Sequence, residues 1–108
     1  MYIYNVTVNI AEEVEKQWLD WMRKTHIPEM LNTGKFYKAK LVKVLIKEDL
    51  GGITYSVQYT AKSRELLEEY YQEYAAGLRK KVMQLFSNKF VDFRTELQVI
   101  EEFSNKHA

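Results

Sequence analysis

The chain has no cysteine. That absence excludes disulfides, a thiolate nucleophile, cysteine-ligated zinc and iron–sulfur clusters. Only two histidines occur, His26 and His107, so a metal site would have to lean on carboxylates, and none is expected. Proline appears once and glycine four times, too few for a flexible linker. No apolar run is long enough to span a bilayer. The first residues, Met1 to Asn5, lack the basic start and apolar stretch of a signal peptide, and the expected location is cytoplasmic. Surplus charge is also missing: the formal net charge is +1. The basic groups Lys38, Lys40, Lys43 and Arg79, Lys80, Lys81 have acidic neighbours and read as solvated faces, so no nucleic-acid partner is expected.

What remains is an ordinary globular composition of 108 residues, 46% hydrophobic and 29% charged. Residues 2–10 alternate with period two. Tyr2, Tyr4, Val6, Val8 and Ile10 share one side; Ile3, Asn5, Thr7 and Asn9 share the other. This is a half-buried strand. Helical spacing follows over residues 11–25 (Val14, Trp18, Trp21, Met22), acidic early and basic late, as the helix dipole favours. Pro28 should stop or kink this helix and open one further turn, which residues 32–34 end. Residues 36–48 form a strand whose alternation slips near Leu41 and Val42, predicting a β-bulge and an edge position.

A turn over residues 48–52 leads to a third strand, 53–61, with Ile53, Tyr55, Val57, Tyr59 and Ala61 on one side. Ser63 is the expected N-cap of a long helix reaching Phe86. Gly77 interrupts that helix and predicts a kink or a close packing contact. The last strand, near residues 90–100, reads with Val91, Phe93, Thr95, Leu97 and Val99 inward and Asp92, Arg94, Glu96 and Gln98 outward. Residues 1–103 make one domain and residues 104–108 a frayed tail.

This β-α-β-β-α-β order folds most readily as an α+β, ferredoxin-like domain: a four-stranded antiparallel sheet with two helices on one face. The strands beginning at Tyr2 and Ile53 become central. The other sheet face carries Asn5, Thr7, Ser56 and Gln58, with Arg94 and Glu96 on the same reading. Such a face suits water, or a second copy of the chain joined by hydrogen bonds and Arg94–carboxylate pairs; a homodimer is the expectation. RNA-binding domains of similar layout show aromatics on this face. Here the tyrosines have the opposite parity.

The chain resembles an uncharacterised bacterial family of short proteins, a domain of unknown function. The likeness runs through Trp18, Trp21, Met22, His26 and Pro28, then Thr33, Gly34 and Phe36, then Gly51 to Tyr59, and finally Phe93 to Leu97. More distantly, the layout is similar to the dimeric α/β-barrel superfamily, whose subunits set their sheets face to face. That superfamily includes small monooxygenases, haem-degrading enzymes and proteins of ethyl tert-butyl ether degradation. The resemblance therefore implies either a ligand-binding dimer or an enzyme with its pocket between helices and sheet near His26.

His26 is the candidate catalytic residue: a proton carrier or axial ligand, or else a helix-terminal histidine capping carbonyls. Trp18, Met22, Tyr55, Tyr59, Tyr70 and Tyr74 either line an apolar cavity for a small apolar or aromatic ligand, with hydroxyls as handles, or fill an aromatic core. No phosphate loop, nucleophile elbow or paired acids at recognisable spacing occur, and no cofactor is called for.

Overall fold

The computed structural model describes residues 1–46 and 51–106. Strand β1 (Tyr2–Ile10) leads into a 3-10 turn and helix α1 (Glu15–Trp21). A wide π turn, Met22–His26, passes without a break into α2 (Ile27–Asn32). Then come β2 (Lys38–Lys43), β3 (Ile53–Ala61), α3 (Arg64–Glu73), α4 (Ala75–Phe86) and β4 (Phe90–Gln98). The sheet order is β2-β3-β1-β4, antiparallel throughout. This is the ferredoxin-like arrangement, with β1 and β3 central.

The period-two reading of β1 and β3 holds rung by rung: Tyr4 faces Tyr59, Val6 faces Val57 and Val8 faces Tyr55. Their apolar sides meet Trp18, Met22, Leu67, Tyr70 and Leu78 of the helices in one core. Each fully buried large side chain contributes about 1.5–3 kcal/mol relative to exposure. Phe36 binds the cluster together, 4.9 Å from Tyr70 and 5.5 Å from Tyr59 between ring centres.

The helical path does not stop at Pro28. Proline has no N–H, and in a regular helix its ring meets the carbonyl four residues back. The π turn supplies the slack, so the chain continues, with proline in the first turn of α2. Met22 and His26, at the two ends of that turn, are both buried. Ser63 caps α3 as expected, its Oγ accepting from Leu66 N–H at 3.3 Å. The long helix breaks at Tyr74 (φ −127°) rather than at Gly77, and no atom lies near a Cβ placed on Gly77. The glycine is therefore not a packing contact.

Two expectations fail in the outer strands. β2 pairs with β3 in unbroken register from Lys38–Thr60 to Lys43–Tyr55, so Leu41 and Val42 carry no bulge. The slip in alternation arises because Ala39 and Leu41 pack on the core while Val42 lies on the open face. The larger correction concerns β4. Its register pairs Tyr4 with Glu96, Val6 with Arg94 and Val8 with Asp92. Asp92, Arg94 and Glu96 thus lie on the helix side. Val91, Phe93, Thr95 and Leu97 lie on the open face, beside Asn9, Thr7, Asn5 and Ile3.

The expected turn at 48–52 falls partly outside the described residues. Its last two members, Gly51 and Gly52, have φ of +84° and +75°, which suits glycine. Asn9 Nδ2 donates to the Gly51 carbonyl at 3.2 Å and ties this turn to β1. Among the described residues after Gln98 there is no helix or strand, and Val99 N–H donates to the Met1 carbonyl. His107 and Ala108, at the end of the expected tail, are outside the described residues.

Candidate functional site

A cavity lies between the helices and the sheet. Trp18, Met22, His26, Met30, Val57, Tyr59, Tyr70 and Leu78 line its interior, with Tyr4, Val6 and Val8 from β1. Arg79 and Val82 of α4 and Phe90, Asp92 and Arg94 of β4 complete it. None of these last five is fully buried, so the opening runs between α4 and the edge strand. The space open to the centres of water-sized molecules is about 40 Å³. At roughly 10–15 Å³ apiece, it holds about three waters.

Among the described residues two buried side-chain polar atoms have no protein partner, His26 Nδ1 and Tyr59 Oη, and both residues line this cavity. Leaving such a group unsatisfied costs about 1–3 kcal/mol. Folded chains rarely leave buried polar atoms in this condition without water, ligand or function to answer them. His26 is 9% exposed and its ring stacks on Trp21 at 4.8 Å. Burial pushes its imidazole down to about 4, against the pull of the Glu29 carboxylate and with smaller pushes from Lys81 and Arg94. The ring is therefore neutral at pH 7, an uncharged hydrogen-bonding group. As a base it is weak, protonated in about one molecule in a thousand at that pH. Burial also raises the Tyr59 hydroxyl far above its ordinary range, so it stays protonated.

The opening is cationic. Arg79 donates to Tyr4 Oη at 2.9 Å, and Arg94 Nε donates to the same oxygen at 2.8 Å. Asp92 pairs with Arg94 at 3.1 Å. Beside this group Glu96 accepts from Arg64 and Tyr71, whose hydroxyl is raised by burial and by that carboxylate. The inward polar residues of β4 thus serve tyrosine hydroxyls that the core would otherwise strand.

The model of a domain of unknown function, DUF4286, matches residues 1–100. The chain belongs to this family. No curated protein sequence matches it. Among solved structures, a dimeric ferredoxin-like protein from an uncultured marine organism is similar, with 16% identity and a TM-score of 0.71. The match covers 94% of this chain and 97% of that one. An ethyl tert-butyl ether d (EthD) family protein from Bacillus halodurans has 12% identity and a TM-score of 0.64, over 91% and 100% of the two chains. HapK from Hahella chejuensis has 8% identity and a TM-score of 0.65, over 97% and 99%. At these identities the likeness establishes the fold alone.

For this DUF4286 member, the residues singled out from sequence divide clearly. Trp18, Met22, His26, Tyr59 and Tyr70 converge on the cavity. Tyr55 does not line it: it packs on Trp18 at 5.2 Å and gives its hydroxyl to Glu15, and burial and that carboxylate push it up to about 12. Tyr74, at the helix break, is partly exposed and borders a different, shallow groove with Glu29 and Lys81. Asn5, Thr7, Ser56 and Gln58 occupy the open face as expected, and Ser56 Oγ donates to Asn5 Oδ1. Arg94 and Glu96 do not; they belong to the cavity side. Sequence reasoning missed Arg79, Asp92 and Tyr4. The available signal was Arg79 itself, which lies one position from the buried Leu78 and so flanks the apolar stripe.

The residues do not fit haem. A porphyrin is many times larger than this cavity, and His26 lies against Trp21 instead of facing a wide slot. Among the described residues no group of three histidines or acids could hold a metal ion. None of their helices is long and apolar enough to cross a membrane.

Proposed function

We propose that this protein is a small-molecule-binding module that works as a homodimer. The observation carrying the binding function is the pair of unpartnered buried atoms, His26 Nδ1 and Tyr59 Oη, beside one cavity. A ligand that brings hydrogen-bonding groups to these atoms supplies the missing partners and displaces the few waters the space admits. Trp18, Met22 and Val57 give it an apolar wall. The neutral, weakly basic His26 suits recognition better than proton abstraction, which sets binding ahead of an oxygenase-like reaction.

The dimer reading rests on the open face. The reversed register of β4 makes it more apolar than the sequence suggests. Val91 and Phe93 are 70% and 62% exposed, and Leu97 and Val42 add to them, around a centre of Asn5, Thr7, Ser56 and Gln58. Three strands of nine residues, about 30 Å long, and one of six, about 20 Å long, spaced about 4.8 Å apart, present roughly 500 Å², more than half of one side of a standard interface. Similar solved structures are described as dimeric ferredoxin-like proteins. Sheets packed face to face about 10 Å apart cover these side chains. Native mass spectrometry of freshly purified protein tests both parts. The expected species is a dimer carrying a small adduct; a bare monomer contradicts the proposal.

A further inference from the structure

We propose that the ligand is a short-chain organic acid with one carboxylate and a hydroxyl or carbonyl at its other end. This rests on the reading of the cavity as a binding site and names the ligand class. The first ground is charge. Two guanidiniums converge on the Tyr4 hydroxyl oxygen, and one carboxylate, Asp92, lies with them. Asp92 balances Arg94. The described residues give Arg79 no acidic partner, and it carries five N–H donors, of which one is committed to Tyr4. The rim is thus one negative charge short.

The second ground is polarity along the cavity. Its charged groups are at the rim, and its interior is lined by His26 and Tyr59, each with a buried polar atom, Nδ1 and Oη, that has no protein partner. A ligand matching both ends is anionic at the opening and polar but neutral inside. The third ground is size: space for about three waters admits a chain of a few carbons and excludes a ring system or a nucleotide. A carboxylate also accepts two parallel N–H bonds from a guanidinium, a geometry phenol oxygen does not offer.

The test is an NMR titration of full-length protein, following the indole N–H of Trp18 on the cavity wall. The probes are 4-hydroxybutyrate, its neutral amide, butyrate, inorganic phosphate and n-butanol. The acid should saturate the signal at least about tenfold more tightly than the amide, the worth of one charge-assisted contact. Arg79→Gln should erase that preference and Arg79→Lys should restore part of it. Tyr59→Phe should bring 4-hydroxybutyrate down toward butyrate. Equal binding of acid and amide to wild type, or acid binding unchanged in Arg79→Gln, overturns the proposal. Saturation by phosphate but by no organic acid overturns it as well. Butanol binding without acid binding removes the acid and leaves the cavity reading standing; silence from every probe removes both.

Discussion

Lowering the pH from neutrality should destabilise this protein through His26 before its carboxylates titrate fully. The imidazole has an ordinary value of 6.5 and is held down to about 4 in the fold, chiefly because burial disfavours its charged form. The unfolded chain therefore binds a proton between those values that the folded chain refuses. Stability is fully present above 6.5, falls as pH drops, and levels off for this group below 4. Between those limits each pH unit removes about 1.4 kcal/mol at most, so the full loss is about 3 kcal/mol, steepest near pH 5. Urea denaturation at intervals from pH 7.5 to 4 measures it, with His26→Gln as the reference that lacks the group. The difference between the two proteins removes the contribution of the carboxylates and of His107. The wild type should lose about 3 kcal/mol more than the variant over this range. Equal losses, or an NMR midpoint for His26 near 6.5, would refute the burial argument.

Other perturbations follow from the same contacts. Phe93→Arg on the open face should convert dimers to monomers by light scattering while leaving the circular dichroism spectrum intact; an unchanged dimer would place the interface elsewhere. Arg94→Met strips a charged donor from Tyr4 and leaves Asp92 without its partner, and should cost about 1–3 kcal/mol in denaturant midpoint analysis. Trp18→Ala, at 1% exposure, should cost about 3–5 kcal/mol and check the core assignment. Ser63→Ala removes the cap on Leu66 N–H and should cost about 1 kcal/mol, with a null effect showing that the cap is idle.

The central strands were legible from sequence because both faces of β1 and β3 follow a simple rule: apolar toward helices, short and neutral toward the open side. The helix stripes were legible for the same reason. β4 was not, because it reverses that rule. Its polar residues point inward to satisfy Tyr4 and Tyr71, and its apolar ones point outward to a face that needs another cover. A strand serving a hydrogen-bonded interior and an unpartnered exterior has the alternation of an ordinary amphipathic strand read backwards. β2 misled in a smaller way: Val42 is apolar on the open side, which imitates a bulge. Arg79 looked like part of a solvated basic run, since its role depends on a tyrosine seventy-five positions away. Trp18, Met22, Tyr59 and Tyr70 are legible from helical and strand spacing, and His26 from being the one histidine within the expected domain. Tyr55 and Tyr74 share those spacings, and spacing cannot separate a cavity wall from a side chain whose hydroxyl is engaged elsewhere or one at a helix break.

The cavity is tested most directly by a crystal structure of the purified protein at a resolution that shows bound small molecules. Continuous non-protein density, larger than single waters, should lie within hydrogen-bonding distance of His26 Nδ1 and Tyr59 Oη. An interior closed by side chains, with those two atoms bonded to protein groups, would contradict the account.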